Sequence, residues 1–140
     1  MPRAIDILVV EDDPADAELT LRALSRSGHE PLVEHATDAE QALHALSASE
    51  LRPRLILLDL KLPGMSGLDL LKALRAGPAT RLLPVVVFTS SAEARDLTGS
   101  YSLGANAYAQ KPLDFGAFGD TLRCVCDFWL TVNRTPDAQP

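Results

Sequence analysis

The chain has 140 residues, 46% hydrophobic and 23% charged, with 19 acidic against 13 basic side chains and a formal charge of −6. That balance belongs to one folded domain rather than two or a disordered chain. Scattered Lys and Arg argue against a nucleic-acid binder, two cysteines (Cys124 and Cys126) make neither a disulfide framework nor a four-ligand zinc site, and no apolar run nears the roughly 20 residues that span a bilayer.

Residues 5–10 read as a strand of continuous apolar character broken only by Asp6. Asp13-Pro14 then starts a helix, a carboxylate N-cap followed by proline at the first helical position. Ala17, Leu21 and Leu24 give it a buried stripe, and Gly28 ends it. A shorter, more polar strand follows over 32–36, and Asp38 caps a second helix carrying Ala39, Ala42, Leu43 and Leu46. Leu55-Ile56-Leu57-Leu58 is the third strand, ended by Asp59. A loop through Pro63-Gly64 leads to a helix over 67–76 that Gly77-Pro78 stops. Pro84 introduces the β-branched strand 85–88, ending at Thr89. Ser90 or Ser91 caps a helix reaching about Leu103, Gly104 breaks it, and a last strand covers 106–110. After Lys111-Pro112 a helix is expected over 114–132, followed by a polar tail, 133–140.

The order is (βα)5. Such connections make strands parallel with right-handed crossovers. Strands one, three and four are apolar throughout, as strands covered on both faces must be; strands two and five are more polar and suit edges. A doubly wound, three-layer flavodoxin-like α/β sandwich with strand order 2-1-3-4-5 satisfies these constraints. One domain over 1–132 is expected.

Ligands bind such sheets beyond the carboxyl ends of the strands. There the chain places Glu11-Asp12-Asp13, Asp59, Thr89 and Lys111. Two carboxylates about 4 Å apart repel by roughly 4 kcal/mol at an effective dielectric of 20, so an acidic cluster at one rim calls for a cation. Oxygen donors with waters retained describe Mg²⁺, which commonly awaits phosphate oxygens. Thr89 and Lys111 then look like phosphate partners. No glycine-rich phosphate loop is present. A carboxylate that itself accepts the phosphoryl group remains, and Asp59 stands at the centre of the layout.

Four segments resemble the receiver domain of two-component response regulators: Val9-Val10-Glu11-Asp12-Asp13, the run from Leu57 through Asp59 to Gly67, Phe88-Thr89-Ser90, and the run from Gly104 to Pro112. They follow in the right order, and the resemblance covers roughly residues 5–130. The resemblance implies that Asp59 accepts a phosphoryl group from a sensor histidine kinase. It implies that Glu11, Asp12, Asp59 and the main-chain oxygen of Lys61 hold Mg²⁺. Thr89 and Lys111 would bind the phosphoryl group, Tyr108 would follow Thr89, and the Lys111–Pro112 bond would be cis. The loop 75–84, Ser90-Ser91-Ala92-Glu93 and Asp127-Phe128-Trp129-Leu130 further resemble single-domain regulators paired with phytochrome-type kinases. Lys61, two residues after the acceptor, is placed to modulate the lifetime of the phosphorylated state.

Other features have plainer readings. Asp13 and Asp16 fit helix capping and the first turn. His29, His35 and His44 are expected to be exposed without a partner cluster. Phe115, Phe118, Leu122, Val125, Trp129 and Val132 form one stripe on the last helix, whose final turns are expected to overhang the sheet. Exposed Phe128, Trp129 and Leu130 would then serve a homodimer. With early acidic residues leaving no room for a signal peptide, a cytoplasmic protein is expected. The chain leaves no room for an output domain, so a stand-alone receiver is expected. A Mg²⁺-dependent phosphohydrolase with an aspartyl-phosphate intermediate ranks second, because Lys61 occupies the place of the general acid–base. A phosphorylation-independent adaptor ranks third.

Overall fold

The structure, a computed structural model, describes residues 3–48 and 51–136. Five parallel strands form one sheet in the order β2-β1-β3-β4-β5: β1 (Arg3–Val10), β2 (Val33–Ala36), β3 (Leu51–Leu58), β4 (Val85–Thr89) and β5 (Ala107–Gln110). Five helices connect and cover them: α1 (Pro14–Ser25), α2 (Ala39–Ser47), α3 (Gly67–Ala76), α4 (Ala94–Ser102) and α5 (Phe115–Asp127).

Period-two alternation sorts the strand residues between two cores. Leu8, Val10, Ile56, Leu58, Val85 and Val87 face α2 and α3, packing on Ala39, Leu46, Leu70 and Leu74. Ile7, Val9, Leu55, Leu57, Val86 and Phe88 face α1 and α5, packing on Leu24, Phe118 and Leu122. Burying both faces is what permits continuous apolar runs in the three inner strands, and the edge position of β2 and β5 explains their polarity.

Four helix starts carry side-chain caps. Asp13 accepts from the Asp16 amide at 2.8 Å, Asp38 from Gln41 at 2.7 Å and Asp114 from Ala117 at 2.8 Å; Ser66 and Asp69 form a reciprocal capping box. α4 differs from expectation. It begins at Ala94 after Glu93 with no side-chain cap; Ser91 stands three residues before the helix, where its hydroxyl donates to Asp96 at 2.5 Å and accepts from the Glu93 amide at 3.2 Å.

β3 starts four residues before its apolar run. Arg52, Pro53 and Arg54 disguise it in the sequence. β4 pairs with β3 only over Ile56–Leu58, so Pro53 lies where the strand has β1 alone as neighbour and the missing N–H is tolerated.

The last helix also ends early. α5 stops at Asp127 and passes into a wider π-type turn, Phe128–Val132, closed by a 2.7 Å bond from the Asn133 amide to the Phe128 oxygen. That turn breaks the 3,4 spacing. Leu130 swings into the core, and its oxygen accepts from Arg54 at 2.6 Å; Phe115, read as part of the core-facing stripe, is exposed, and Val132 is exposed in the final turn. Of the expected dimer residues, Phe128 is exposed, Trp129 half-buried and Leu130 buried. The tail is irregular through Pro136, and its last four residues lie outside the described residues.

One arginine ties the far end of the sheet together. Arg75, at the end of α3, donates to the oxygens of Gly104 at 2.9 Å and Leu83 at 2.8 Å, and to Asn106 Oδ1 at 3.0 Å; that amide oxygen also accepts from the Val85 amide at 2.8 Å. Gly104 has φ +100°, and a Cβ there would stand 2.9 Å from Arg75 Nε, so the clamp and the turn both require glycine.

Candidate functional site

The site is built by strand ends. The Glu11 amide donates to the Ala36 oxygen at 3.1 Å and the Asp59 amide to the Val10 oxygen at 3.1 Å, so the ladder itself carries both carboxylates to the same rim. The Lys111 amide donates to the Thr89 oxygen at 2.7 Å, which brings β5's end beside β4's. The turn after Asp59 is equally constrained. A Cβ on Gly67 would stand 2.4 Å from the Asp59 oxygen, so only glycine lets α3 begin against the β3–α3 loop.

Glu11, Asp12 and Asp59 present carboxylate oxygens that all lie within 4.8 Å of one another. Glu11 is 3% and Asp59 8% exposed, whereas Asp12 faces solvent. Lys111 Nζ, also 8% exposed, reaches Glu11 through a short ion pair, Asp16 at 2.9 Å and Asp59 at 3.2 Å. It stands 5.9 Å from the centroid of the Phe88 ring. All three ammonium protons thus have carboxylate acceptors.

Electrostatics follow from this crowding. Burial pushes the Glu11 carboxyl up from its ordinary 4.5 to about 7, opposed by the hydrogen bond from Lys111 and reinforced by the charge of Asp59. Burial alone would lower the Lys111 ammonium, yet its bonds to Glu11 and Asp16 and the charge of Asp59 hold it above its ordinary value. The folded protein therefore binds a proton at Glu11 more tightly than the unfolded chain does. That contribution to stability is fully present below pH 4.5 and is lost as pH rises through about 7. Thermal melts of the cation-free protein should show a falling component across this window. The component should be absent in Glu11→Gln; identical pH profiles for the two proteins would contradict the assignment.

Thr89 is fully buried, and its hydroxyl accepts a long, 3.4 Å bond from the Ser91 amide. Tyr108 is half-buried and donates its hydroxyl to the Ser91 main-chain oxygen at 2.9 Å. Ser91 thus links the end of β4 to Tyr108 and, through Asp96, to α4. Lys61 is exposed, and its amide makes a 3.4 Å contact with Asp59 Oδ1.

Two expectations need correction. No peptide bond is cis among the described residues, so Lys111–Pro112 is trans. The intrinsic preference between the isomers is only about 0.5–1 kcal/mol, and Lys111 reaches all three carboxylates from the trans form. Nor do His29 and His35 stand alone. His29 Nε2 lies 2.6 Å from Asp127 Oδ1, and His35 Nε2 donates to the Glu11 main-chain oxygen at 2.8 Å. Asp16 is the site residue that sequence reasoning missed. Its place one turn into α1 satisfied a capping explanation, and only the position of Lys111 shows its second partner.

The donor set fits a hard divalent cation: oxygen atoms only, converging from two strand ends, with one carboxylate open to solvent. Among the described residues, no helix is long and apolar enough to cross a membrane.

Comparison with known proteins agrees. The family described as response regulator receiver domain matches residues 7–123. A probable methanogenesis regulatory protein, FilR2 of Methanothrix harundinacea, is 38% identical over 134 residues, covering 93% of this chain and 86% of that protein. DNA-binding response regulators named MtrA, such as that of Mycolicibacterium smegmatis, are 42% identical over 106 residues; the chain spans 43% of that relative's length. Among solved structures, the phosphorylated cyanobacterial phytochrome response regulator RcpA superposes with a TM-score of 0.89 at 31% identity, covering 96% of this chain and all of that one.

Proposed function

The chain belongs to the response regulator receiver domain family, and from that premise we propose that it is a phosphorylation-controlled signalling module whose phosphoacceptor is Asp59. The observation that carries this reading is the meeting of Asp59 with Glu11, Asp12 and Lys111 at one rim.

In the proposed reaction, a carboxylate oxygen of Asp59 attacks the phosphorus of a phosphohistidine on a sensor histidine kinase. The new P–O bond forms as the P–N bond breaks, and the imidazole leaves with the electron pair. Lys111 stays at the rim to pair with phosphoryl oxygens, and Thr89 exchanges its long bond to Ser91 for one to the phosphoryl group. Mg²⁺ is the cation assigned to Glu11, Asp12, Asp59 and the main-chain oxygen of Lys61; when bound it offsets the charge gathered there. Movement of Thr89 passes to Tyr108 and to the face formed by α4, β5 and α5. Likeness to the phytochrome regulator supports a phytochrome-type photoreceptor kinase as the partner.

We assign the receiver to 1–132, because the π-type turn still seats Leu130 in the core. The protein acts on no outside substrate in this reading: Lys61, not a carboxylic acid, follows Asp59 by two residues. Free cysteines at 124 and 126 fit a reducing, cytoplasmic compartment. Phe128 and Trp129 mark the surface assigned to a homodimer. An apparent mass that rises with concentration, in gel filtration with light scattering, is the expected behaviour. A concentration-independent monomer with and without beryllofluoride would remove the dimer.

The deciding experiment is incubation with Mg²⁺ and acetyl phosphate, followed by intact-mass measurement. A stable phosphoryl adduct is expected. Repeated turnover of phosphate esters would favour a phosphohydrolase, and absence of an adduct a phosphorylation-independent adaptor. Lys61, whose ammonium is free to shield the phosphoryl group from water, should set its lifetime. Lys61→Ala is expected to change the decay rate of the adduct about two- to fivefold, as an exposed charge contact of up to roughly 1 kcal/mol allows; an unchanged rate would end that role.

A further inference from the structure

Lys111 holds three carboxylates, but they are not equivalent. Glu11 and Asp59 belong to the cluster of oxygens within 4.8 Å of one another, together with Asp12; Asp16 does not. A cation in that cluster draws on the same carboxylates that now hold the ammonium. Of Lys111's partners, only Asp16 stands outside the set being drawn on. It is also the one with room to adjust, its side chain 38% exposed against 4% for Glu11 and 10% for Asp59. Its backbone, by contrast, is fixed: Asp16 lies in the first turn of α1, and its amide is anchored to the Asp13 cap.

We propose that Asp16 is a positioning residue that takes over Lys111 when a divalent cation occupies Glu11, Asp12 and Asp59. This inference deepens the proposed function and rests on its cation site. Its physical content is a handover. Without Asp16, the ammonium has only cluster carboxylates to bind, and a cation must displace it from them. With Asp16, the two positive charges are separated onto different acceptors, and Lys111 remains at the rim where an incoming phosphoryl group needs it. The capping explanation of Asp16 does not require this. Its amide, not its carboxylate, makes the contact with Asp13, and that carboxylate bonds Lys111 across 95 positions of sequence.

The test is a double-mutant cycle read by Mg²⁺ affinity, measured by calorimetric titration without any phosphodonor. Asp16→Asn keeps the amide, the side-chain shape and the cap, so it should fold. It is expected to weaken Mg²⁺ binding about fivefold, the size of a half-exposed charge contact. In Lys111→Met, where there is no ammonium to relocate, the same change should alter affinity less than twofold. An equal loss in both backgrounds would reduce Asp16 to a distant charge and overturn the handover, as would wild-type affinity in Asp16→Asn. Should Lys111→Met fail to fold, the ammonium ¹⁵N resonance of Lys111 supplies the reading. On adding Mg²⁺ it should stay sharp and protected in the wild type and broaden in Asp16→Asn; unchanged protection in the variant would overturn the proposal. If the unsubstituted protein binds no Mg²⁺, the cation site of the proposed function itself fails, a result distinct from either outcome above.

Discussion

Asp59→Asn is expected to take up no phosphoryl group from acetyl phosphate under conditions in which the unsubstituted protein is labelled. Asn matches Asp in shape, so the ladder bond from residue 59 to Val10 and the close approach of Gly67 are untouched. What is lost is the nucleophile: an amide oxygen does not form the acyl phosphate that a carboxylate does. One negative charge also leaves a site with two others nearby, so the variant should be folded and no less stable. Loss of labelling therefore cannot be put down to unfolding, provided the melting temperature is read alongside the mass. Labelling of Asp59→Asn to the wild-type extent would place the acceptor elsewhere and dismantle the proposed function.

The second large effect concerns stability. Lys111→Met should cost about 3–5 kcal/mol, because it leaves Glu11 and Asp59 buried with no internal counter-charge. In a domain of this size that corresponds to a melting temperature lower by roughly 10–20 °C. Methionine fills the same space over Phe88, so the loss is one of charge and not of packing. Millimolar Mg²⁺ should restore part of it, and more in this variant than in the wild type, since the cation then supplies the only positive charge among the carboxylates. Melts with and without Mg²⁺ check this. A melting temperature within a degree or two of the wild type would mean that the carboxylates need no counter-charge.

Much of this architecture is legible in the sequence because its signals are local. Asp13-Pro14 and Asp38 each announce a helix within four residues, and apolar runs of four or more mark the inner strands. Burial on both faces, which makes those runs continuous, also makes the strand order readable. The same logic brings Glu11, Asp12, Asp59 and Lys111 to one rim before any coordinates are seen. What resists reading depends on distant partners. Pro53 looks like a strand breaker until the short reach of β4 is known. The stripe on the last helix continues in sequence through Val132, but the π-type turn after Asp127 rotates Leu130 inward and Val132 outward. Ser91 looks like a cap for α4, yet the helix starts three residues later, and the Ser91 hydroxyl bonds the Glu93 amide and the Asp96 carboxylate instead. Asp16 has a sufficient local explanation that conceals its bond to Lys111, and nothing near Lys111-Pro112 in sequence decides the isomer of that bond.

The arginine clamp bears on how a signal would spread. Arg75 welds the exit of α3, the entry to β4 and the turn before β5 into one rigid foundation at the end of the sheet away from Asp59. If Thr89 moves on phosphorylation as proposed, that movement starts at the opposite end of the sheet from this clamp, and α4, joined to the clamped end through the Gly104 turn, would be the element placed to carry it.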